Sequence, residues 1–241
     1  MRNIFKGFAL AISMLTTVPM FKIHDFYKGI NGYAVMFYPL VGFILGSILW
    51  GLHSLLNSYV DSTHLAVIIF ALWILLTGAL HLDGFSDTMD GLYVSKERAL
   101  EVMKDPHVGG MGMIMSVTFL ILKASSLATL EAFYLLPLVL MLSRLNAVLA
   151  IFFYPYISQN GMGALAKEEF TKTQMLITLF YSFLALLLYN KLLLLVSALL
   201  VLLVIKSFFI KRYGGFTGDI YGFTIEISEL IILNILLFGL V

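Results

Sequence analysis

An all-α, polytopic membrane helix bundle is the fold that three features of this sequence predict: a deficit of charge, a series of long apolar stretches, and a lopsided placement of lysine and arginine. Hydrophobic residues make up 61% of the 241-residue chain and charged residues 12%, with a mean hydropathy of +0.98. A soluble globular domain carries about 25% charged residues, so half of the usual charge is missing. Twenty Phe and twelve Tyr fill the deficit with side chains that lipid tolerates. The absence of cysteine excludes thiolate chemistry, a cysteine-based zinc site and disulfides. A net charge of +1 gives no electrostatic footprint for nucleic acid. No linker, low-complexity tract or internal repeat interrupts the chain, so residues 1–241 read as a single membrane-embedded domain.

A spanning helix needs about 20 mostly apolar residues. In chain order, such stretches run over 33–56, 64–82, 109–130, 132–154, 173–189, 191–210 and 223–241, which predicts seven spans. A further apolar segment at 4–20 carries Lys6 within it and Pro19 at its end. It is expected to be an interfacial or re-entrant helix. Its basic start is superficially like a signal peptide, but it lacks a small-x-small cleavage site and leads into more spans, so it reads as retained. Within the first span, Gly42 and Gly46 spell G-x-x-x-G, a pattern for close helix packing.

Basic residues orient the bundle. With 1–32 in the cytoplasm, the cytoplasmic segments become 1–32, 83–108, 155–172 and 206–222. They hold Arg2, Lys6, Lys22, Lys28, Lys96, Arg98, Lys104, Lys167, Lys172, Lys206, Lys211 and Arg212, against Lys191 alone outside. Lys123 and Arg144 fall inside spans. The outer connections are short, so the polar apparatus is expected at the cytoplasmic face.

That apparatus begins with HLDGFSDTMDG, residues 81–91. On a helix, Asp83, Asp87 and Asp90 sit at i, i+4 and i+7, one stripe of one face. Like charges so close repel unless a cation is shared. Acids near a helix start are also favoured by the helix dipole, which accounts for one or two of them. Gly84 and Gly91 flank the stripe and suggest close approach of backbone or ligand. Magnesium fits such a donor set, since it takes carboxylates plus substrate phosphate oxygens and needs neither Cys nor His. His81, two residues before Asp83, reads as an orienting hydrogen-bonding group rather than a metal ligand.

A second constellation is GGFTGDIYGFTIEISEL, residues 214–230. Gly214, Gly215, Gly218 and Gly222 suggest a flexible loop whose N–H groups can cradle an anion. Asp219 follows, and Glu226 and Glu229 lie at i, i+3 at the start of the last span. Ionisable groups within spans are functional by default; the alternative here is pairing of these glutamates with Lys123 or Arg144. In KDPHVGGMG, residues 104–112, Lys104 reads equally as a phosphate contact or as part of an ordinary polar loop.

Two acidic clusters facing one compartment invite a two-metal arrangement around a diphosphate. DTMDG at 87–91 resembles the opening D-x-x-D-G of the CDP-alcohol phosphotransferases, but Val94 and Ser95 stand where the rest of that signature belongs. An ion-coupled transporter using Lys123, Arg144, Glu226 and Glu229 is the alternative from another class. Clustering of the acids at one face disfavours it, because transport sites lie near the midplane.

In this order and spacing, HLDGFSDTMDG, KDPHVGGMG, the Ser143–Arg144 pair and GGFTGDIYGFTIEISEL resemble cobalamin synthase, the adenosylcobinamide-GDP ribazoletransferase family, from about residue 4 to the C-terminus. Phe85, Ser86 and Met89 are departures that remove no carboxylate. The resemblance implies a prokaryotic inner-membrane transferase of the substituted-phosphate type, with adenosylcobinamide-GDP and α-ribazole or its 5′-phosphate as partners and a homo-oligomer left open. It implies Mg²⁺ held by Asp83, Asp87 and Asp90, with Asp219, Glu226 and Glu229 completing a second metal site or supplying a base. Arg144, Lys104 and Arg98 are then the candidate phosphate clamps.

Overall fold

Backbone that crosses a bilayer must bond its polar groups internally, which leaves helices as the economical solution for these apolar stretches. The computed structural model of the chain describes residues 2–18, 27–158 and 161–240; Pro19 and Lys22 lie outside them. Eleven α-helices follow one another among the described residues: α1 (Arg2–Leu15), α2 (Ile30–Leu56), α3 (Ser62–Thr77), α4 (Leu80–Leu92), α5 (Lys96–Val102), α6 (Gly110–Ala128), α7 (Leu136–Phe153), α8 (Met162–Glu169), α9 (Lys172–Leu188), α10 (Leu193–Tyr213) and α11 (Gly218–Leu237). A 3-10 turn, Phe133–Leu135, leads into α7. By length and composition, α2, α6, α7 with its leading turn, α10 and α11 can each cross a membrane. The bent pairs α3–α4 and α8–α9 bring the total to between five and seven. Apolar side chains such as Ile121 on α6, Phe180 and Leu188 on α9 and Val204 on α10 point outward, as a lipid-facing surface requires.

The expected 64–82 span is corrected: it breaks at Gly78–Ala79, and α4 leaves α3 at 85°. Gly78 (φ +61°) ends α3 in the left-handed conformation that glycine adopts without a Cβ penalty, and Ala79 (φ +55°) repeats it at some cost. The last span likewise starts earlier than 223. The Thr217 hydroxyl accepts the Ile220 N–H at 3.3 Å, which caps α11 from Gly218 onward. Asp219 therefore sits in the first turn, while Glu226 and Glu229 lie about 10 and 15 Å further along the helix at 1.5 Å per residue. At about 21 Å, α1 is shorter than the roughly 30 Å hydrocarbon core. It packs against α2, with the Phe8 and Phe37 rings 5.3 Å apart.

The post of the bundle is α7, buried along nearly its whole length. Its closest neighbour is α2. A Cβ at Gly42 would come within 2.3 Å of the Leu140 carbonyl, and one at Gly46 within 2.6 Å of the Leu136 carbonyl. The G-x-x-x-G pattern thus works as the sequence suggests, letting two backbones touch.

One end of the bundle gathers the loop segments read above as cytoplasmic. Glu169 of α8 accepts the Asn31 N–H at 2.9 Å and so caps the start of α2. Lys167 donates to the Phe152 carbonyl at the end of α7, and Arg212 to the Leu92 and Val94 carbonyls at the end of α4. Basic side chains there satisfy helix C-termini, a use that counting charges cannot distinguish from solvation. The Ile157 N–H bonds Phe216 O and the Phe216 N–H bonds Pro155 O, tying the α7–α8 loop to the α10–α11 loop.

A candidate carboxylate site beside an aromatic cavity

The site is built where α4 crosses α11. A Cβ at Gly84 would lie 2.9 Å from the Asp219 carbonyl, and one at Gly222 would lie 3.0 Å from the His81 carbonyl. Only glycine permits this contact without displacing a helix. The crossing is locked by Phe85, whose ring stacks on Phe223 at 5.5 Å and leans on Phe119 at 4.6 Å. Phe85 is therefore the wedge between α4, α6 and α11.

The crossing unites the two acidic motifs. The charges of Asp83, Asp219 and Asp90 all bear on the half-buried Asp87. Asp83 is exposed, and among the described residues no side chain pairs with it or with Asp87. Asp219 accepts one hydrogen bond, from the Thr217 hydroxyl at 3.2 Å. Among the proposed phosphate clamps, the structure brings Lys104 near enough for its charge to act on Asp219. Arg98 is an exposed residue of α5, away from these contacts. Beside Lys104, the backbone N–H and the ring of His107 bond Asp105 and hold its carboxyl below the ordinary carboxylate range.

Asp90 has a different task. Its Oδ2 accepts the Gly109 N–H at 2.8 Å and its Oδ1 the Gly112 N–H at 2.7 Å. It thereby caps α6 from outside, where Gly109 has no side chain to do so. A Cβ at either glycine would meet the Asp90 carboxylate at 2.3 Å, which explains the glycines of KDPHVGGMG. Asp90→Ala is expected to lower stability by about 1–2 kcal/mol, the upper part of the range for a lost N-cap. Thermal unfolding in detergent measures it, and an unchanged midpoint would show the cap to be dispensable.

Glu226 and Glu229 are engaged with the buried cations. Lys123 Nζ donates to Glu226 at 2.6 Å and also to Glu229, while Arg144 Nη1 donates to Glu229 and to the Ser143 hydroxyl. Arg144 and Glu229 are fully buried. The structure takes the pairing alternative for both glutamates and commits Arg144 to Glu229. Gly214 (φ +86°) ends α10, Gly215 packs on Pro155 and Ile157, and Gly218 opens α11. The expected flexible loop of 214–222 is thus corrected to a short turn followed by helix. Among the described residues, no three His, Asp or Glu converge as a ready-made metal cage.

A cavity of about 350 Å³ opens beside the crossing, between α4, α7, α8 and α11, with Met14 and Leu15 of α1 and Tyr38 of α2 completing its wall. His81, Asp83, Gly218 and Asp219 line it, together with Tyr156 and Tyr221. Those tyrosines were not among the candidates from sequence; two aromatics in separate polar segments carry no shared pattern that would mark them.

A family model described as cobalamin-5-phosphate synthase matches residues 7–237. The chain belongs to that family. Among cobalamin-5-phosphate synthase relatives, the adenosylcobinamide-GDP ribazoletransferase of Thermosynechococcus vestitus is 41% identical over 81% of this chain and 82% of its own. That of Desulforamulus reducens is 39% identical over 98% and 97%, and that of Acinetobacter baumannii strain ACICU is 36% identical over 94% of each. No solved structure matches the chain. The family makes this chain a transferase of cobalamin synthesis embedded in a membrane.

Proposed function

We propose that the chain transfers the adenosylcobinamide phosphate moiety of adenosylcobinamide-GDP to a ribose hydroxyl of α-ribazole, or of α-ribazole 5′-phosphate, releasing GMP. The observation that carries this reading is the Gly84–Gly222 crossing. It sets Asp83 and Asp87 of one motif near Asp219 of another, with Asp83 and Asp219 lining a cavity. Such a concentration of acid charge on a membrane protein is costly unless it serves a cation.

Magnesium fits this donor set: carboxylate oxygens, of which only those of Asp219 accept a side-chain hydrogen bond, and too few to cage the ion without a substrate. The hard cation takes one or two carboxylates and fills its other positions with water and phosphate. In this reading Asp83, Asp87 and Asp219 would hold Mg²⁺ together with the substrate, and the ion would supply charge neutralisation at the diphosphate. Asp90, Glu226 and Glu229 keep their structural partners and serve the site by fixing α6 and α11.

The acceptor oxygen forms a bond to the phosphorus nearer cobinamide as the bond to the bridging oxygen breaks, and the electron pair leaves with GMP. Displacement at a diphosphate depends on positioning and charge neutralisation more than on covalent help. Lys104 supplies a cation from the loop side, and an aspartate of the cluster receives the hydroxyl proton. The bias of lysine and arginine supports a cytoplasmic orientation for this end of the bundle in a prokaryotic cell.

GMP release from adenosylcobinamide-GDP and α-ribazole by detergent-purified protein tests the reading. Release is expected with Mg²⁺ and is expected to fall to background in EDTA. Undiminished release in EDTA would discard the metal, and no release by folded protein would sink the transferase.

A further inference from the structure

We infer that the cavity between α4, α7, α8 and α11 is the seat of the acceptor's heteroaromatic base, with His81 as its polar partner. This rests on the transferase reading and names which substrate part occupies the cavity. Its volume, about 350 Å³, lies at the small end of the roughly 300–1,000 Å³ usual for ligand pockets. That accommodates a nucleoside and excludes a corrin macrocycle with its side chains.

The lining selects among nucleosides. Ala147 and Ile151 of α7 and Ile225 of α11 give the cavity apolar walls. Tyr156 and Tyr221 present roughly parallel rings, 6.0 Å apart and 22° from coplanar, to which a flat base adds by stacking. Tyr38, Ser158 and the two aspartates add polar groups to the lining. His81 is 4% exposed, and neither of its ring nitrogens has a partner; the buried Tyr221 hydroxyl also has none. Buried polar atoms left unpaired are costly and uncommon, so these atoms point to a ligand that supplies a ring nitrogen and a hydroxyl. A base with a hydrocarbon edge meets that demand. Guanine carries amide, amine and carbonyl groups around its rim, more than the unpartnered His81 and Tyr221 call for.

The cavity also orients the acceptor. His81 is buried while Asp83, two residues on, is exposed, so the opening lies on the aspartate side. A base held against His81 therefore sends its ribose out toward Asp83 and Asp219, where a ribose hydroxyl meets the diphosphate.

Equilibrium dialysis of α-ribazole against the full-length protein in detergent, without donor and with EDTA, tests this. Wild type is expected to bind, and saturating GMP is expected not to displace the ligand. Ala147→Leu, which intrudes on the cavity without touching a polar group, is expected to weaken α-ribazole at least tenfold while leaving adenosylcobinamide-GDP affinity within twofold. Ala166→Leu, from the α8 wall, substitutes if the first variant fails to fold. Displacement of α-ribazole by GMP from wild type would put guanine in the cavity and overturn the inference. So would a variant that weakens the donor and spares the acceptor. Absence of α-ribazole binding overturns it too; GMP release with both substrates then keeps the transferase, and no release removes both readings.

Discussion

Glu229→Leu is expected to lower the stability of the detergent-purified protein by about 3–5 kcal/mol, the range for removing one partner of a buried ion pair. Glu229 is fully buried on α11 and bonds Lys123 of α6 and Arg144 of α7 at once. With Glu226 the cluster holds two cations and two carboxylates and is neutral as a unit. Losing Glu229 leaves two cations against one carboxylate in the interior. Lys123 keeps Glu226 at 2.6 Å and the face of Trp73 at 4.4 Å. Arg144 keeps only neutral oxygens, and its Nε and Nη2 already lack partners. Most of the cost therefore falls on Arg144. Its joint replacement in Arg144→Met/Glu229→Leu is expected to recover a large part of the loss, because removing both charges also removes their desolvation cost. Unfolding midpoints of the wild type and the single and double variants measure this. A Glu229→Leu protein within 1 kcal/mol of wild type would mean that water reaches the cluster.

That cluster shows where sequence reading stops. The spans, their helical nature and the gathering of basic residues at one end were legible, because hydropathy and chain length control them directly. Gly42 and Gly46 were legible for the same reason: a small-residue pair inside a span has few other uses. The break at Gly78 was not, since the apolar run continues through it and only the backbone turns. The motifs were visible as residues but not as roles. Asp90 shares its stripe with Asp83 and Asp87, yet its carboxylate serves the N–H groups of Gly109 and Gly112, a contact made by tertiary packing. Glu226 and Glu229 looked like companions of Asp219 because a glycine-rich loop was expected before them. Once α11 starts at Gly218, they lie two to three turns deeper and meet Lys123 and Arg144. Spacing along a helix fixes which residues share a face, and a neighbouring helix decides what that face meets.

Asp219→Asn should separate function from stability at the site itself. The amide keeps the shape of the carboxylate and can still accept from the Thr217 hydroxyl, so the start of α11 is preserved. It removes one of the negative charges crowded near Asp83 and Asp87. GMP release is expected to fall by about 10²–10³-fold, the scale for losing one preorganised electrostatic group at a reacting centre. Relief of like-charge repulsion is expected to raise the unfolding midpoint slightly, since such contacts are worth a few tenths of a kcal/mol at exposed sites. Asp87→Asn is expected to behave the same way, because its neighbours are Asp83, Asp90 and Asp219. Asp90→Ala differs in the sign of its stability change, because it uncaps α6. Activity and stability thus move apart for Asp219 and Asp87, the trade-off of a site built for charge it cannot neutralise alone. Steady-state GMP release at saturating Mg²⁺, set beside thermal unfolding of the same preparations, decides it. A destabilised Asp219→Asn with proportionately lost activity would make Asp219 a structural acid and leave the two aspartates of α4 to bind the cation without it.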